Sequence, residues 1–403
     1  MKSIRTDVLI AGGGVSGVAA AVAAARQGAR TCLVEKEGFL GGIGYSGLLR
    51  HICGLYLNSD SMPEETLNKG LSREVVALLN ALSPDKTVQK MGRVYVLPYS
   101  REDLRTVFDS FCRAESNIEV CPDTTVVSVS KSGEKIDGVM VACAGADYEI
   151  VPGMVIDCSG SGAVSAMAGA DFEAAPQEKL QLAAYVMHIR GLKDYDESLR
   201  LKVPWCLAEA VKNRILPPEL RFSVLVPGDS PDEGYLKVSV SVSNDIESRQ
   251  GAITDALSAY KYLSDRLDAF RDSCIAETSK GVLEREGRRI RGEYMLTEED
   301  VLSAKKFPDG IVRSSWPIEL WDRNKGTIYR YVKKGDYYEI PFGCLKVNGF
   351  DNLLCAGRCI SVSHEALGST RVMGTCISLG EQAGRAAARK IKYGAYLSSH
   401  KEI

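Results

Sequence analysis

Apolar residues fall along this chain in two rhythms, and the change from one to the other marks its elements. Asp7 to Ala11 holds Val8, Leu9 and Ile10 without alternation, which predicts a short strand buried on both faces of a parallel sheet. Val15 to Gln27 is alanine-rich and stops at Gly28, as a helix with a glycine end does. Thr31 to Val34 reads as a second buried strand. From Ser100 to Ala114 the period becomes helical, with Leu104, Val107, Phe108 and Phe111 on one face and Ser100 with Asp103 as a variant capping box. Ile118 to Val120 predicts a parallel strand, while Thr124–Val129 and Gly138–Val141 alternate like antiparallel strands. The texture changes at Pro176. Strand-like runs at Leu180–Ile189, Phe222–Val226 and Tyr235–Val242 are joined there by predicted helices at Ser198–Asn213 and Arg249–Ile275. A helix over Thr375–Lys392 closes the chain. These elements make an α/β protein in three stretches, 1–175, 176–337 and 338–403.

The opening strand, turn, helix and strand follow the order that holds the adenosine end of a dinucleotide. Gly12 and Gly14 supply the tight bend and let backbone N–H groups approach a pyrophosphate, and Gly17 lets the helix lie close to the sheet. The helix begins at Val15 and Ser16, where unpaired N–H groups and the helix dipole favour negative charge. Glu35, with Lys36 beside it, ends the second strand, placed to accept hydrogen bonds from ribose hydroxyls; an acid there disfavours a 2′-phosphate.

Composition narrows the partners. Fifty basic residues against fifty-two acidic ones leave a net charge of −2, which gives no global field for nucleic acid or anionic lipid. Arg285 to Arg291, with Arg288-Arg289, is the local exception and reads as a solvated strand face with salt bridges. No apolar run approaches the roughly 18 residues of a membrane helix. No signal peptide is apparent. Twelve cysteines without a C-x-x-C pair or a ligand-like cluster predict small buried thiols, no metal centre and a reducing compartment, the cytoplasm. At 403 residues the chain can bury roughly three quarters of its unfolded surface, enough for two domains and a cleft.

Three later segments decide which dinucleotide is expected. Gly41-Gly42 follows Glu35 closely, Val155-Ile156-Asp157-Cys158-Ser159-Gly160 reads as a buried strand with a small-residue turn, and Asn352 to Arg358 is followed by His364 to Met373 and Gly380 to Ala388. Together with the opening motif these bracket nearly the whole chain, and they resemble the FAD-dependent oxidoreductase family of the glutathione-reductase-like superfamily. Where that family's third segment often carries an acid after its glycine, this chain has Ser161.

The resemblance implies a Rossmann-like FAD-binding domain over 1–175 and 338–403, with a small antiparallel layer, and an inserted α+β substrate domain over 176–337. It implies FAD contacts from Gly12, Gly14, Val15, Ser16, Gly17, Glu35, Lys36, Gly41, Gly42, Val126, Gly160, Gly357, Arg358, Arg371, Met373 and Gly374. Met373 and Gly374 open a helix that faces the flavin ring.

Catalytic candidates lie around the same turn. Arg371 suits a bidentate clamp on a carboxylate or phosphate, and equally a structural salt bridge. His364 suits proton transfer near neutral pH, or packing against backbone. His51, with Tyr45, lies on a loop that reaches the cleft from the other side or simply packs. Cys53 is an attachment point, a redox thiol or a core thiol; Cys355 and Cys359 flank a turn and read as no relay. His188, on an apolar strand, and His400, on the tail, are set aside.

The implied reaction is hydride transfer between a small organic, carboxylate-bearing substrate and flavin N5, with a separate electron donor or acceptor. Hydroxylation by reduced flavin and oxygen is one alternative. A non-catalytic electron carrier is another.

Overall fold

The computed structural model describes residues 3–193, 197–243 and 245–396; His400 lies outside them. Ser3–Ala11 pairs in parallel with Thr31–Val34 on one side and with Ala146–Asp157 on the other, and Ile118–Cys121 extends the sheet beyond Thr31–Val34. The long strand Ala146–Asp157 serves two neighbours. Its first half pairs antiparallel with Lys135–Cys143, which pairs in turn with Thr124–Ser132, and its last residues pair in parallel with Leu353–Cys355. Val155↔Leu353 and Asp157↔Cys355 thus bring the returning chain into the first sheet. Asn352 fixes the register, its side chain accepting from Ile136 N (2.8 Å) and donating to Ile136 O (2.9 Å).

Val8, Leu9, Ile10, Leu33, Val155 and Ile156 have almost no exposure, as a parallel sheet covered on both faces requires. The helices Val15–Arg26 and Met373–Tyr393 cover one face and cross each other on small residues. A Cβ on Gly380 would sit 2.0 Å from Ser16 O, and one on Gly384 2.2 Å from Ala20 O.

A second core belongs to the middle of the chain. Ala183–Arg190, Val224–Pro227, Glu233–Val240 and Cys274–Thr278 form a four-stranded antiparallel sheet. Alternation assigns its faces: Tyr185, Met187 and Ile189 pack on the helices Glu197–Lys212 and Ile246–Arg266, while Ala184 and Val186 turn to Leu48 and Leu283. The sheet is therefore a roof over the loop after the glycine pair. Arg101 clamps it with two 2.6 Å bonds to Glu277, and Arg50 does the same with Asp229.

Four local differences from the sequence reading stand out. The helix predicted to reach Ile275 ends at Arg266, and Cys274–Thr278 becomes the edge strand paired with Ala183–Arg190. The amphipathic helix Leu71–Leu82, with Leu71, Val75 and Leu79 buried, was not expected. Hydrophobic residues from Ile290 to Tyr338 pack into the first core, so the chain rejoins it before residue 338. Ser100 caps its helix by accepting from Asp103 N, but Asp103 turns to Ser83 Oγ and the box is half made.

Candidate active site

Around the opening helix the glycines answer different demands. Gly12 has φ +107°, and its Cβ would lie 2.6 Å from Cys158 O; a Cβ on Gly17 would lie 1.7 Å from Gly12 O. Both are required by the protein itself. Gly14 is not. Its backbone is ordinary (φ −67°, ψ −179°) and a Cβ there would meet nothing within 4 Å. The space is open at the helix N-terminus, beside Ser16 Oγ, which is buried and has no hydrogen-bond partner among the described residues. Two left-handed turns close around it: Gly41 (φ +99°) and Gly42 (φ +52°), with Gly41 N bonded to Gly13 O at 2.8 Å, and Gly357 (φ +87°), whose Cβ would be 3.2 Å from Ser16 Cβ. Open space, an orphan hydroxyl and unpaired helix N–H groups fit a pyrophosphate.

Glu35 is buried, accepting from Gly13 N (2.5 Å) and Glu37 N (2.9 Å), which leaves lone pairs on both oxygens. Thr124 N bonds to Glu35 O, so the strand carrying the half-buried Val126 starts beside it. Lys36 is different: its side chain is 72% exposed and lies 3.9 Å from Glu37.

At the other end of the site, Gly368 lets the helix His364–Thr370 lie on the backbone of Glu319, where a Cβ would be 2.8 Å from Glu319 O. Arg371 follows, donating from one terminal nitrogen to Glu319 O (3.1 Å), while its Nε is buried without a partner among the described residues. The next helix opens at Met373, and Gly374 abuts Gly54 and Leu55 so closely that a Cβ would be 2.7 Å from both. Arg358 spans the cleft wall from Gly160 O (2.7 Å) to Glu284 O, and burial lowers its pKa. Asp157, fully buried, holds the Gly160 turn through Ser159 and Ser165, so the turn's organising acid precedes its glycine.

His364 Nδ1 is 3.0 Å from Glu286 Oε2, an ion-pair distance whose angle is not that of a hydrogen bond. Burial pushes the Glu286 carboxyl up, but His364, the Gln181 N–H and Arg289 outweigh it and hold the group below the usual range. A depressed carboxyl contributes stability above its unfolded pKa that is lost as pH falls through the folded one. Glu286→Gln should therefore cost about 1–3 kcal/mol at pH 7 and much less near pH 3, read by urea denaturation. An equal loss at both pH values would assign Glu286 to packing alone. Burial, then Arg50, lowers the His51 pKa below its ordinary value. It shares a strand face with Cys53, whose thiol burial pushes up to about 12.

A family model for FAD dependent oxidoreductases matches residues 7–399. The chain belongs to that family. FAD is its cofactor, and it is an oxidoreductase. Among curated proteins, none matches the chain in sequence. Among solved structures it is similar to a geranylgeranyl bacteriochlorophyll reductase-like protein from Thermoplasma acidophilum (11% identity, 98% of this chain and 81% of that one, TM-score 0.51). It is also similar to the anhydrotetracycline hydroxylase OxyS from Streptomyces rimosus (13%, 96% and 63%, 0.54) and the flavin-dependent brominase Bmp2 (14%, 98% and 81%, 0.50). At these identities the likeness is one of fold, a Rossmann-type FAD-binding architecture.

Within this FAD dependent oxidoreductase, Gly12 to Gly17, Glu35, Gly41, Gly42 and Gly357 surround one space, and Arg358, Arg371, Met373, Gly374 and His364 gather at the other end. No hydrogen bond or ion pair joins His51 to His364 or Arg371 among the described residues. Tyr45 packs outward, its hydroxyl accepting from Arg105. The stretch Arg285–Arg291 is not a solvated face: Arg285, Glu286 and Arg289 are 8%, 6% and 4% exposed. Arg288 and Arg291 alone keep to the surface among its arginines. Sequence reading missed Glu286, Lys237 and Glu319. Alternation does flag Lys237, the charged residue between buried Leu236 and Val238. Among the described residues no metal-binding cluster is present, and no helix is long and apolar enough to cross a membrane.

Proposed function

We propose that this oxidoreductase moves a hydride between a carbon of a small carboxylate-bearing substrate and the flavin, as a dehydrogenase or reductase. Bound FAD supplies the hydride acceptor or donor at N5. Arg371 orients the substrate, because its guanidinium keeps its charge and has a buried donor to spare. That free donor beside the helix facing the ring is the observation that carries the reading. The N-terminus at Met373 and Gly374 favours negative charge that develops there. His364, held by Glu286, accepts or returns the substrate proton. A small-molecule substrate and a separate electron donor or acceptor complete the cycle. Twelve free cysteines, with Cys32 and Cys121 sharing a thiol hydrogen bond at 3.8 Å rather than a disulfide, support a reducing compartment such as the cytoplasm.

Arg371→Ala should keep FAD and raise KM about 30- to 100-fold, the worth of a charge-assisted bidentate contact. Unchanged steady-state kinetics would remove Arg371 from the site. Flavin-dependent hydroxylation is the second reading, favoured by the likeness to a hydroxylase. Bleaching by NADPH alone, followed by substrate-coupled oxygen uptake, would select it.

A further inference from the structure

Two cations from distant parts of the chain stack on one indole, and a third is tied to the strand that carries it. Lys237 Nζ lies 4.3 Å from the centre of the Trp321 ring, and the Arg285 guanidinium carbon lies 3.8 Å from it. Arg371 is bonded to the backbone of Glu319, two residues before Trp321 on the strand Ile318–Asp322. Arg285 is buried and Lys237 and Arg371 are half-buried, and cations so gathered repel one another and lose hydration. Burial and the two arginines push Lys237 down to about 8, and burial also pulls Arg285 and Arg371 below their ordinary values.

Compensation is incomplete. Glu319 is the carboxylate that faces the three, and its Oε1 is already taken by Trp321 Nε1 at 2.7 Å. Glu286, near Arg371, is offset by Arg289 at 3.8 Å. Two positive charges therefore remain unmatched. The Lys237 side chain makes no hydrogen bond or ion pair among the described residues, and Arg371 Nε has no partner. An apolar residue at 237 would serve the fold better, so stability does not explain this arrangement.

We propose that Lys237, Arg285 and Arg371 form the recognition site for a substrate carrying two carboxylates, seated against Trp321. This rests on the hydride-transfer reading for its place beside the flavin. Carboxylate fits better than phosphate because the donors are side chains spread around an aromatic wall. Phosphate sites commonly add backbone N–H groups at a helix start or nest to such side chains, so inorganic phosphate is the comparison ligand in the test. Two cations come from the inserted region and one from the return segment, so the site exists only when the roof is seated.

The test is calorimetric titration of the FAD-loaded protein with malonate, acetate and inorganic phosphate, which needs no turnover. Malonate should bind at least tenfold tighter than either of the others. Lys237→Met should weaken it at least tenfold, whereas Lys237→Arg should retain it. Between pH 7 and 9 the wild-type affinity should fall up to about tenfold as Lys237 loses its proton, and Lys237→Arg should abolish that fall. The groups facing Lys237 are Arg285, Arg371, Glu319 and Cys53. Of these, the arginines keep their charge and Cys53 stays a thiol over that range.

Malonate binding no tighter than acetate or phosphate, or unchanged in folded Lys237→Met, would overturn the proposal. Malonate bound by a protein that exchanges no hydride with any carboxylate would defeat the functional reading and leave this site standing. Hydride exchange without malonate binding would do the reverse.

Discussion

Gly14→Asp should give a folded protein that has lost FAD. Position 14 is the N-cap of the helix Val15–Arg26, with extended backbone and open space where its side chain would go. Aspartate is among the best N-cap residues, so the apoprotein should melt at the same temperature or slightly higher. The same carboxylate lies where the pyrophosphate belongs. Two unit charges near 4 Å repel by about 4 kcal/mol at an effective dielectric constant of 20, on the order of a thousandfold in affinity. Flavin retention on gel filtration and a thermal melt separate the two effects. A Gly14→Asp variant that stays yellow would show that the open space is not the pyrophosphate site.

Gly384→Ala should be among the most destabilising single methyls in the flavin domain. The added Cβ would meet Ala20 O at 2.2 Å, and the obstructing atom is helix backbone, which cannot rotate away. Overpacking of rigid elements costs about 1–3 kcal/mol and sometimes more; separating these two helices should reach the top of that range and loosen FAD as well. Gly251→Ala is the matched control. It lies inside the helix Ile246–Arg266, where a Cβ meets nothing within 4 Å, so the same change should stabilise by about 0.5–1 kcal/mol. Urea denaturation of the two variants checks the opposite signs. Equal, small effects would mean that the helix crossing is looser than its geometry.

The adenosine half was legible because its constraints are local. Gly17 and Glu35 each answer a neighbour within the same strand, turn, helix and strand, and a short sequence carries both; Gly12 also answers the distant Cys158. The return segment was legible for a similar reason, since Gly357 marks a left-handed turn and Gly368 a close backbone approach. The substrate end was not. Glu286 and Arg285 read as surface charge because sequence gives charge but not burial. They are covered only when distant parts of the chain fold over them, Trp321 onto Arg285 and Gln181 and His364 onto Glu286. Arg285 bonds to Leu182 O and stacks on Trp321, partners far away in the chain. The edge strand Cys274–Thr278 was hidden in the same way. Leu267 and Phe270 continue a helical rhythm past Arg266, and pairing with Ala183–Arg190 overrides it.

Hydride exchange with a carboxylate is read most directly from the flavin spectrum under anaerobic conditions. Oxidised protein is mixed with reduced carboxylates such as hydroxy and amino acids, and photoreduced protein with their unsaturated or oxo counterparts, without nicotinamide. A carboxylate should bleach the visible flavin absorbance in the first set or restore it in the second, on the order of seconds or faster for a typical enzyme. A flavin that no carboxylate changes in either direction, yet that NADPH bleaches and oxygen reoxidises with substrate consumption, would contradict the dehydrogenase or reductase assignment.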